Sequence, residues 1–200
     1  MKSPSELITH LGVAGIPNFF GQELCRRLRA DVRAGSLEPA RVRVGESATQ
    51  VNENYRRSQK TQIATPAAGT VEHCLRQLQS WCALYYGIGL SGFEPPQYLL
   101  YRQGDFFSRH ADGPEPSEFR FRQSPRKVSV VVFLNGEKDS GSEDSFCGGE
   151  LVVYGGGDSP DQGWPIVPSE GLLVAFPSFL VHEVKPVTSG ERISLVSWFS

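Results

Sequence analysis

The chain has 200 residues and a formal net charge of −2, and its basic residues are scattered along the sequence. This length suits one compact domain with a sizeable core. The scattered charge does not provide the basic surface that is typical of nucleic-acid-binding proteins. The N-terminal stretch lacks a convincing cleavage signal, and no apolar run approaches the roughly 20 residues that cross a bilayer. We therefore expect a cytoplasmic protein without a signal peptide or a membrane span.

The four cysteines include no Cys-x-x-Cys pair, which argues against a disulfide framework or a zinc ribbon. Cys74 and Cys82 lie among apolar residues of a predicted helix, and we expect both to be buried as small hydrophobic side chains. Cys147 lies beside glycines, which favours an exposed and oxidisable thiol.

Helical patterns dominate the first 95 residues. Residues 4–11 predict a short first helix that ends near Gly12. Residues 21–35 predict an amphipathic helix whose arginines form its solvated face. The longest predicted helix covers residues 69–86, and we expect its apolar face, including the aromatic side chains, to pack on a sheet. That face consists of Val71, Cys74, Leu75, Leu78, Trp81, Cys82 and Tyr85.

Two stretches between these helices have strand-like sequences. Residues 41–45 alternate between basic and apolar side chains and predict a short strand. Residues 52–62 are polar and predict a strand that runs along the main sheet. This strand is either a structural edge strand protected by its charges or a strand that faces a bound ligand.

From residue 96 to the end the pattern is strand-like, with short strands separated by glycine, proline, serine and aspartate turns. This favours a double-stranded β-helix, the jelly roll of cupin-like proteins, packed against the N-terminal helices. The predicted strands are 97–102, 106–111, 127–134, 149–154, 164–167, 171–176, 179–184 and 191–199. We expect a single domain over residues 1–200, in which residues 1–95 supply helical support and edge strands and residues 96–200 form the core.

Three residues of this core suggest a metal site. His110 and Asp112 lie two positions apart at the end of a strand, so their side chains point to the same face. His182 lies on a distant strand that a barrel can bring alongside. Two imidazoles and one carboxylate suit a non-haem Fe(II) site with open positions. The alternative for His182 is a hydrogen-bonded core histidine within the apolar stretch 179–184.

Arg192 suggests a partner with a carboxylate. The alternation of residues 190–199 places Arg192, Ser194, Val196 and Trp198 on one face of a strand, which we expect to point inward. A buried guanidinium is costly unless it is paired, and a carboxylate that accepts two parallel hydrogen bonds matches its geometry. The alternative is a structural salt bridge with an internal acidic residue.

Taken together, these residues resemble the signature of the Fe(II)/2-oxoglutarate-dependent dioxygenases, and the surrounding sequence is similar to the prolyl 4-hydroxylase branch. The resemblance covers the C-terminal half closely and the N-terminal half more loosely, and several ordered motifs agree at once. Those motifs are Tyr101 with Gly104, residues 126–135 (RKVSVVVFLN), residues 148–151 (GGEL), residues 182–184 (HEV), and Arg192 with Trp198.

By this resemblance, His110, Asp112 and His182 hold the iron. Arg192 pairs with the distal carboxylate of 2-oxoglutarate, and Tyr101 helps to hold that carboxylate.

The resemblance also implies that Ser194 and Trp198 line the pocket. The chain departs from its relatives at Phe133 and Phe107, where tyrosine is common. A missing hydrogen bond to the cosubstrate would cost about 1 kcal/mol, which would weaken cosubstrate binding.

The activity that the resemblance implies is hydroxylation coupled to the oxidative decarboxylation of 2-oxoglutarate. It consumes dioxygen, releases succinate and CO2, and uses ascorbate as a reductant. The presence of Asp112 argues against a halogenating relative, which needs that coordination position for halide. The polar stretches 113–126 and 136–148 belong at the rim of the barrel, either as a substrate lid or as solvated loops.

For the substrate we expect a prolyl residue in a peptide or protein. The close alternative is a free amino acid or another small molecule. An alternative of a different class is a non-oxidative, cupin-like metal-binding protein.

Overall fold

The computed structural model describes residues 9–44, 48–114, 126–137, 144–155 and 160–200. The predicted first helix, residues 4–11, falls almost entirely outside these ranges. Within these ranges, two complete helices form where apolar residues recur every three to four positions: α1, Gln22–Ala34, and α2, Pro66–Tyr86. Pro66 begins α2, where its missing N–H is not needed. Gly87 ends the helix in the left-handed conformation, at a φ of 64°.

The expected burial of α2 is wrong for two aromatic residues. Its buried stripe consists of Val71, Leu75, Leu78 and Cys82. Trp81 and Tyr85 lie beside this stripe, with exposures of 36% and 43%, and their rings stack on each other with centroids 4.8 Å apart. Leu84 is 86% exposed. The helical rotation leaves these side chains on the side away from the sheet, and Cys74, at the margin of the stripe, is half-buried.

Sixteen strands are assigned within the described ranges. They are β1 Ala14–Ile16, β2 Glu38–Pro39, β3 Val42–Val44, β4 Ala48–Gln50, β5 Arg56–Arg57, β6 Gln59–Thr61, β7 Gln97–Tyr101, β8 Phe106–His110, β9 Val128–Phe133, β10 Cys147–Gly148, β11 Leu151–Tyr154, β12 Gly163–Ile166, β13 Leu173–Pro177, β14 His182–Val184, β15 Val187–Ser189 and β16 Arg192–Phe199. All eight strands predicted after residue 96 are found, with ends shifted by three residues or fewer.

The strands build the two main sheets of a jelly roll. The larger sheet has the order β1-β13-β9-β16-β7-β6-β2, and the smaller sheet has the order β12-β11-β14-β8-β5. Apolar side chains of the larger sheet, among them Val131 and Phe133, pack against Leu151 and Val153 of the smaller one. The opposite face of the larger sheet packs against α1 and α2. The predicted jelly roll supported by helices is therefore confirmed.

The predicted strand 52–62 is divided between the two sheets. Residues Arg56–Arg57 pair with β8 of the smaller sheet, and residues Gln59–Thr61 pair with β7 of the larger sheet. One straight strand cannot pair with both sheets, so the chain changes partner at Ser58, whose hydroxyl accepts a hydrogen bond from Arg56. Arg56 consequently lies on the strand next to the one that carries His110.

Most of the two rim stretches, residues 115–125 and 138–143, lies outside the described residues. Among the described residues, no helix combines the length and apolarity that crossing a bilayer needs.

One arginine of α1 is buried, contrary to the expectation that all of them are solvated. Arg29 is 6% exposed. Its guanidinium donates to Glu170 at 2.5 Å, to Asp144 at 3.1 Å and to the carbonyl oxygen of Leu134 at 2.6 Å. These contacts tie the helix to the end of β9 and to the loop before β13, at the rim of the barrel.

We expect Arg29→Ala to lower the free energy of unfolding by about 2 kcal/mol, because it removes the donor to the Glu170 carboxylate and the Leu134 carbonyl and one of the donors to Asp144, which keeps its contact with Arg33. The expected loss is smaller than that for a fully buried ion pair, because water screens the partly exposed Asp144 and Glu170. Urea unfolding followed by circular dichroism measures the change. Arg26→Ala, which removes an exposed pair with Glu23 on the same helix, should leave the midpoint unchanged. Equal midpoints for both variants would contradict a stabilising role for the Arg29 contacts.

Candidate functional site

Three predicted ligand side chains meet at one point. His110 ends β8, Asp112 follows it by two residues, and His182 begins β14, where it pairs directly with His110 across the sheet. Nε2 of His110 lies 3.8 Å from Oδ1 of Asp112, and Nε2 of His182 lies 3.6 Å from Oδ2. One ligand atom from each residue can be chosen so that all three lie within 4.8 Å of one another. A single ion can contact all three.

Both imidazoles are oriented by their own backbone. Nδ1 of His110 lies 2.8 Å from the carbonyl oxygen of Ser108, and Nδ1 of His182 lies 2.8 Å from the carbonyl oxygen of Leu180. A carbonyl only accepts hydrogen bonds, so each Nδ1 carries a proton, and the Nε2 atom of each ring is the one that faces Asp112. Such hydrogen bonds are the usual support of a metal-binding histidine.

Burial and the neighbouring His182 lower the pKa of His110 to about 3. The imidazole is therefore neutral at physiological pH, which is the form that binds metals. The ring of Phe107 stacks on the His110 ring with centroids 3.6 Å apart, and this contact excludes water from one face of the ligand.

Asp112 is held in its ionised form. Burial raises the pKa of this carboxyl group, but electrostatic interaction with the His182 and His110 side chains and hydrogen bonds from Trp198 and Ser129 hold the pKa below its usual range. The hydroxyl of Ser129 on β9 donates to Oδ2 at 2.8 Å, and the Ser178 hydroxyl lies 2.9 Å from that of Ser129. The backbone N–H of Asp112 donates to the carbonyl oxygen of Ser178 at 2.9 Å.

Arg192 lies in the same cavity with an unsatisfied charge. The cavity has a volume of about 530 Å³ and is lined by both histidines, Asp112 and Arg192. Arg192 is 1% exposed and donates from Nη1 to the Ser194 hydroxyl at 2.9 Å. Its Nε and Nη2 atoms are buried without a hydrogen-bond partner, and it forms no ion pair with any described acidic residue. Burial lowers the pKa of Arg192 to about 10.

The other residues that the sequence assigned to the pocket lie close to Arg192 or line the same cavity. Tyr101 pairs with Arg192 between β7 and β16, and its ring centroid is 5.1 Å from the guanidinium carbon. Ser194 and Trp198 line the same cavity. Phe133 is fully buried, with its ring centroid 4.9 Å from the same guanidinium carbon.

Sequence reasoning missed several residues of the site. Ser129 was one, although a lone serine in the apolar run VSVVVF marks a polar contact inside the barrel. Glu94 and Arg126 also line the cavity, and Nη2 of Arg126 lies 2.6 Å from Glu94. No local sequence pattern could reveal that pair, since its members lie 32 residues apart.

The donor set suits Fe(II). Two imidazole nitrogens and one carboxylate on one side of an ion leave its other positions open to the cavity. The two unpaired N–H groups of Arg192 provide a place for the carboxylate of a second ligand in the same cavity.

Comparison with known proteins assigns the chain to a family. Residues 96–200 match the family model described as the 2OG-Fe(II) oxygenase superfamily. A PKHD-type hydroxylase of Shewanella sp. (strain MR-4) is 29% identical over 186 residues, which cover 92% of this chain and 75% of the relative. A PKHD-type hydroxylase of a Picosynechococcus species is 28% identical over 184 residues, with the same coverage.

Solved structures agree with the family model. A prolyl-4-hydroxylase of Pseudomonas putida shares 28% of its sequence and superposes with a TM-score of 0.73, covering 98% of each chain. A prolyl hydroxylase of Trichoplax adhaerens, solved with a hypoxia inducible factor peptide fragment, has the same fold, with 23% identity and a TM-score of 0.74 over 97% of this chain and 86% of the other. The chain belongs to the 2OG-Fe(II) oxygenase superfamily, in its prolyl 4-hydroxylase-like branch, and is a dioxygenase that requires Fe(II), 2-oxoglutarate and dioxygen.

Proposed function

We propose that this dioxygenase hydroxylates a prolyl residue in a peptide or protein and releases succinate and CO2. The observation that carries the proposal is the buried guanidinium of Arg192, with two nitrogens that lack a hydrogen-bond partner, in the cavity that also holds His110, Asp112 and His182. A metal site alone would suit many reactions, whereas a metal site beside a buried, unpaired cation suits a metal-chelating cosubstrate with a second carboxylate.

Within this proposal each side chain has one task. His110, Asp112 and His182 hold the iron, and Arg192 pairs with the distal carboxylate of 2-oxoglutarate. Tyr101 lies beside that carboxylate. Iron and cosubstrate, when bound, supply the oxidising chemistry.

The chain supplies a dry and shaped cavity around the reacting groups. Ser194 fixes the guanidinium of Arg192 through its hydroxyl, and Trp198 forms part of the cavity wall. We propose ascorbate as an auxiliary reductant, supported by the family resemblance alone.

The prolyl substrate is supported by the likeness to the Pseudomonas putida prolyl-4-hydroxylase along nearly the whole chain. A cavity of about 530 Å³ also leaves room for a substrate side chain beside the cosubstrate. We further propose that residues 1–200 act as one domain, because α1 and α2 share a core with the larger sheet. A cytoplasmic location is supported by the four unpaired cysteines.

Turnover assays test the substrate proposal. Fe(II), 2-oxoglutarate and dioxygen are supplied with proline-containing peptides or with free amino acids, and mass spectrometry detects the gain of one oxygen atom. We expect the gain on peptidyl proline, together with succinate, and loss of both in His182→Ala. Hydroxylation confined to free amino acids would contradict the peptide proposal, and turnover under strict anoxia would contradict the oxidative mechanism.

Ser129→Ala should lower the affinity for Fe(II) about tenfold, because Asp112 loses the hydroxyl that orients its carboxylate. Titration with Fe(II) or Mn(II) under anoxia measures the affinity. Ser108→Ala is the matched control, since it keeps the carbonyl oxygen that orients His110, and it should bind metal normally. An unchanged affinity in Ser129→Ala would show that Asp112 is positioned without this contact.

Arg192→Ala should raise the KM for 2-oxoglutarate about a hundredfold while leaving metal affinity unchanged, because the guanidinium is assigned to the cosubstrate and not to the metal. Succinate release at varied 2-oxoglutarate concentration measures the effect. Arg102→Ala, an exposed arginine paired with Glu191 beside Arg192, is the control and should keep the native KM. A native KM in Arg192→Ala would remove the arginine from the cosubstrate site.

A further inference from the structure

The lining of the active-site cavity carries more positive than negative charge. Its basic residues are Arg41, Arg56, Lys60, Arg126 and Arg192, and its acidic residues are Glu94 and Asp112. Two of the basic residues have acidic partners: Arg126 pairs with Glu94, and Lys60 pairs with Glu38 at 3.1 Å. The remaining excess is carried by Arg192, Arg41 and Arg56.

Arg192 is assigned to the cosubstrate, whereas Arg41 and Arg56 have no assigned partner. Neither forms an ion pair with an acidic residue in the described part of the chain. Glu53 lies in a separate groove of about 210 Å³ that also touches Arg56, but it pairs with neither guanidinium. Among the residues that the structure describes, these two cations at the cavity wall therefore have no acidic partner.

The surroundings of Arg56 show why the lack of a described acidic partner is energetically important. Arg56 is 8% exposed, and its guanidinium donates to the Ser58 hydroxyl at 3.0 Å and to the carbonyl oxygen of Arg41 at 3.3 Å. Among the described residues, its guanidinium also contacts the ring of Phe107, whose centroid lies 4.4 Å from the guanidinium carbon. All three partners are neutral. A buried cation with only neutral partners is costly unless an anion joins it.

This charge lies close to the reacting centre. The ring of Phe107 contacts both the guanidinium of Arg56, at 4.4 Å, and the ring of His110, at 3.6 Å. The guanidinium and a proposed iron ligand therefore share one aromatic neighbour. An extended peptide advances about 3.3 Å per residue. The substrate group that reaches Arg56 therefore belongs to a residue one or two positions from the target proline.

We propose that Arg41 and Arg56 bind a carboxylate of the substrate, and that the preferred peptide carries aspartate or glutamate within two residues of the target proline. The inference rests on the proposed prolyl hydroxylase function and specifies its substrate class. The exposed guanidinium of Arg41 offers the first contact, and the buried one of Arg56 offers an ion pair sheltered from water.

Binding assays separate this inference from the proposed function. Fluorescently labelled peptides are titrated into the protein loaded with Mn(II) and 2-oxoglutarate without dioxygen, so that affinity is read without turnover. The peptides contain one proline flanked by glutamate or by the isosteric glutamine, with both ends blocked. We expect the glutamate peptide to bind about tenfold more tightly.

Variants test the two arginines directly. Arg41→Gln and Arg56→Gln should each reduce the preference for glutamate to less than about twofold. Arg57→Gln is the matched control, because Arg57 is exposed, lies in the separate groove that contains Glu53 and does not line the active-site cavity. It changes the net charge equally and should keep the full preference. Arg41 is also exposed, so Arg41→Gln tests the inference even where Arg56→Gln lowers stability. Arg41→Glu should bind a lysine peptide better than the glutamate peptide.

Each outcome has a defined meaning. Equal affinity of the two peptides in the native protein would overturn the inference, whether or not the peptides are hydroxylated. A preference that survives both Arg41→Gln and Arg56→Gln would also overturn it. A glutamate peptide that binds tightly but gains no oxygen would support the anion site while contradicting the proposed function. Binding of free proline but not of its amide would assign the same site to the substrate's own α-carboxylate.

Discussion

The pairing of β8 with β14 is the constraint on which the site depends. It sets His110 directly opposite His182 although the two residues are far apart in the sequence. The register then shifts, so that Val184 pairs with Phe107 and β8 contains one extra residue between its two partners. Such a bulge bends a strand and redirects its side chains. Here it lies at the end of β8, where the chain turns to bring Asp112 back toward both imidazoles.

The larger sheet contributes a different kind of support, because it holds an unsatisfied charge in place. Asn135, fully buried at the end of β9, accepts a hydrogen bond from the backbone N–H of Ile193 at 2.9 Å and donates to the carbonyl oxygen of Glu191 at 2.7 Å. These bonds fix the backbone on both sides of Arg192. The guanidinium therefore stays in the cavity although two of its nitrogens lack partners. A violation of the rule that buried polar groups are satisfied is expected where function requires it.

The sequence predicted the parts of this structure that have a local pattern. Short strand-like runs between turn residues located β7 and β9, and alternation over residues 190–199 located β16. The same alternation placed Arg192, Ser194 and Trp198 on one face, and all three line one cavity. The residue types and positions of His110, Asp112 and His182 suggested a metal site, and the family resemblance supported their assignment as iron ligands.

Features without a local period were not predictable. The two-residue strand β5 exists only because β8 lies beside it, and a stretch as short as Arg56–Arg57 has no periodicity. Burial of Arg29 depends on acidic residues more than a hundred positions away. The exposure of Trp81 depends on the rotation of α2 about its own axis against the sheet. The apolar pattern of a helix fixes this rotation only to within about one residue.

The charged groups of the cavity fall into two sets. A divalent iron, the Asp112 carboxylate, a dianionic cosubstrate and the Arg192 guanidinium together carry no net charge, so the loaded centre is compatible with a dry interior. Arg41 and Arg56 are not included in that balance. A neutral substrate that covers the cavity opening would leave Arg56 buried against its neutral partners. The free-energy cost of this buried charge would then rise, because the substrate removes the remaining water. An anionic substrate would complete the neutralisation, and the same desolvation would then strengthen its binding.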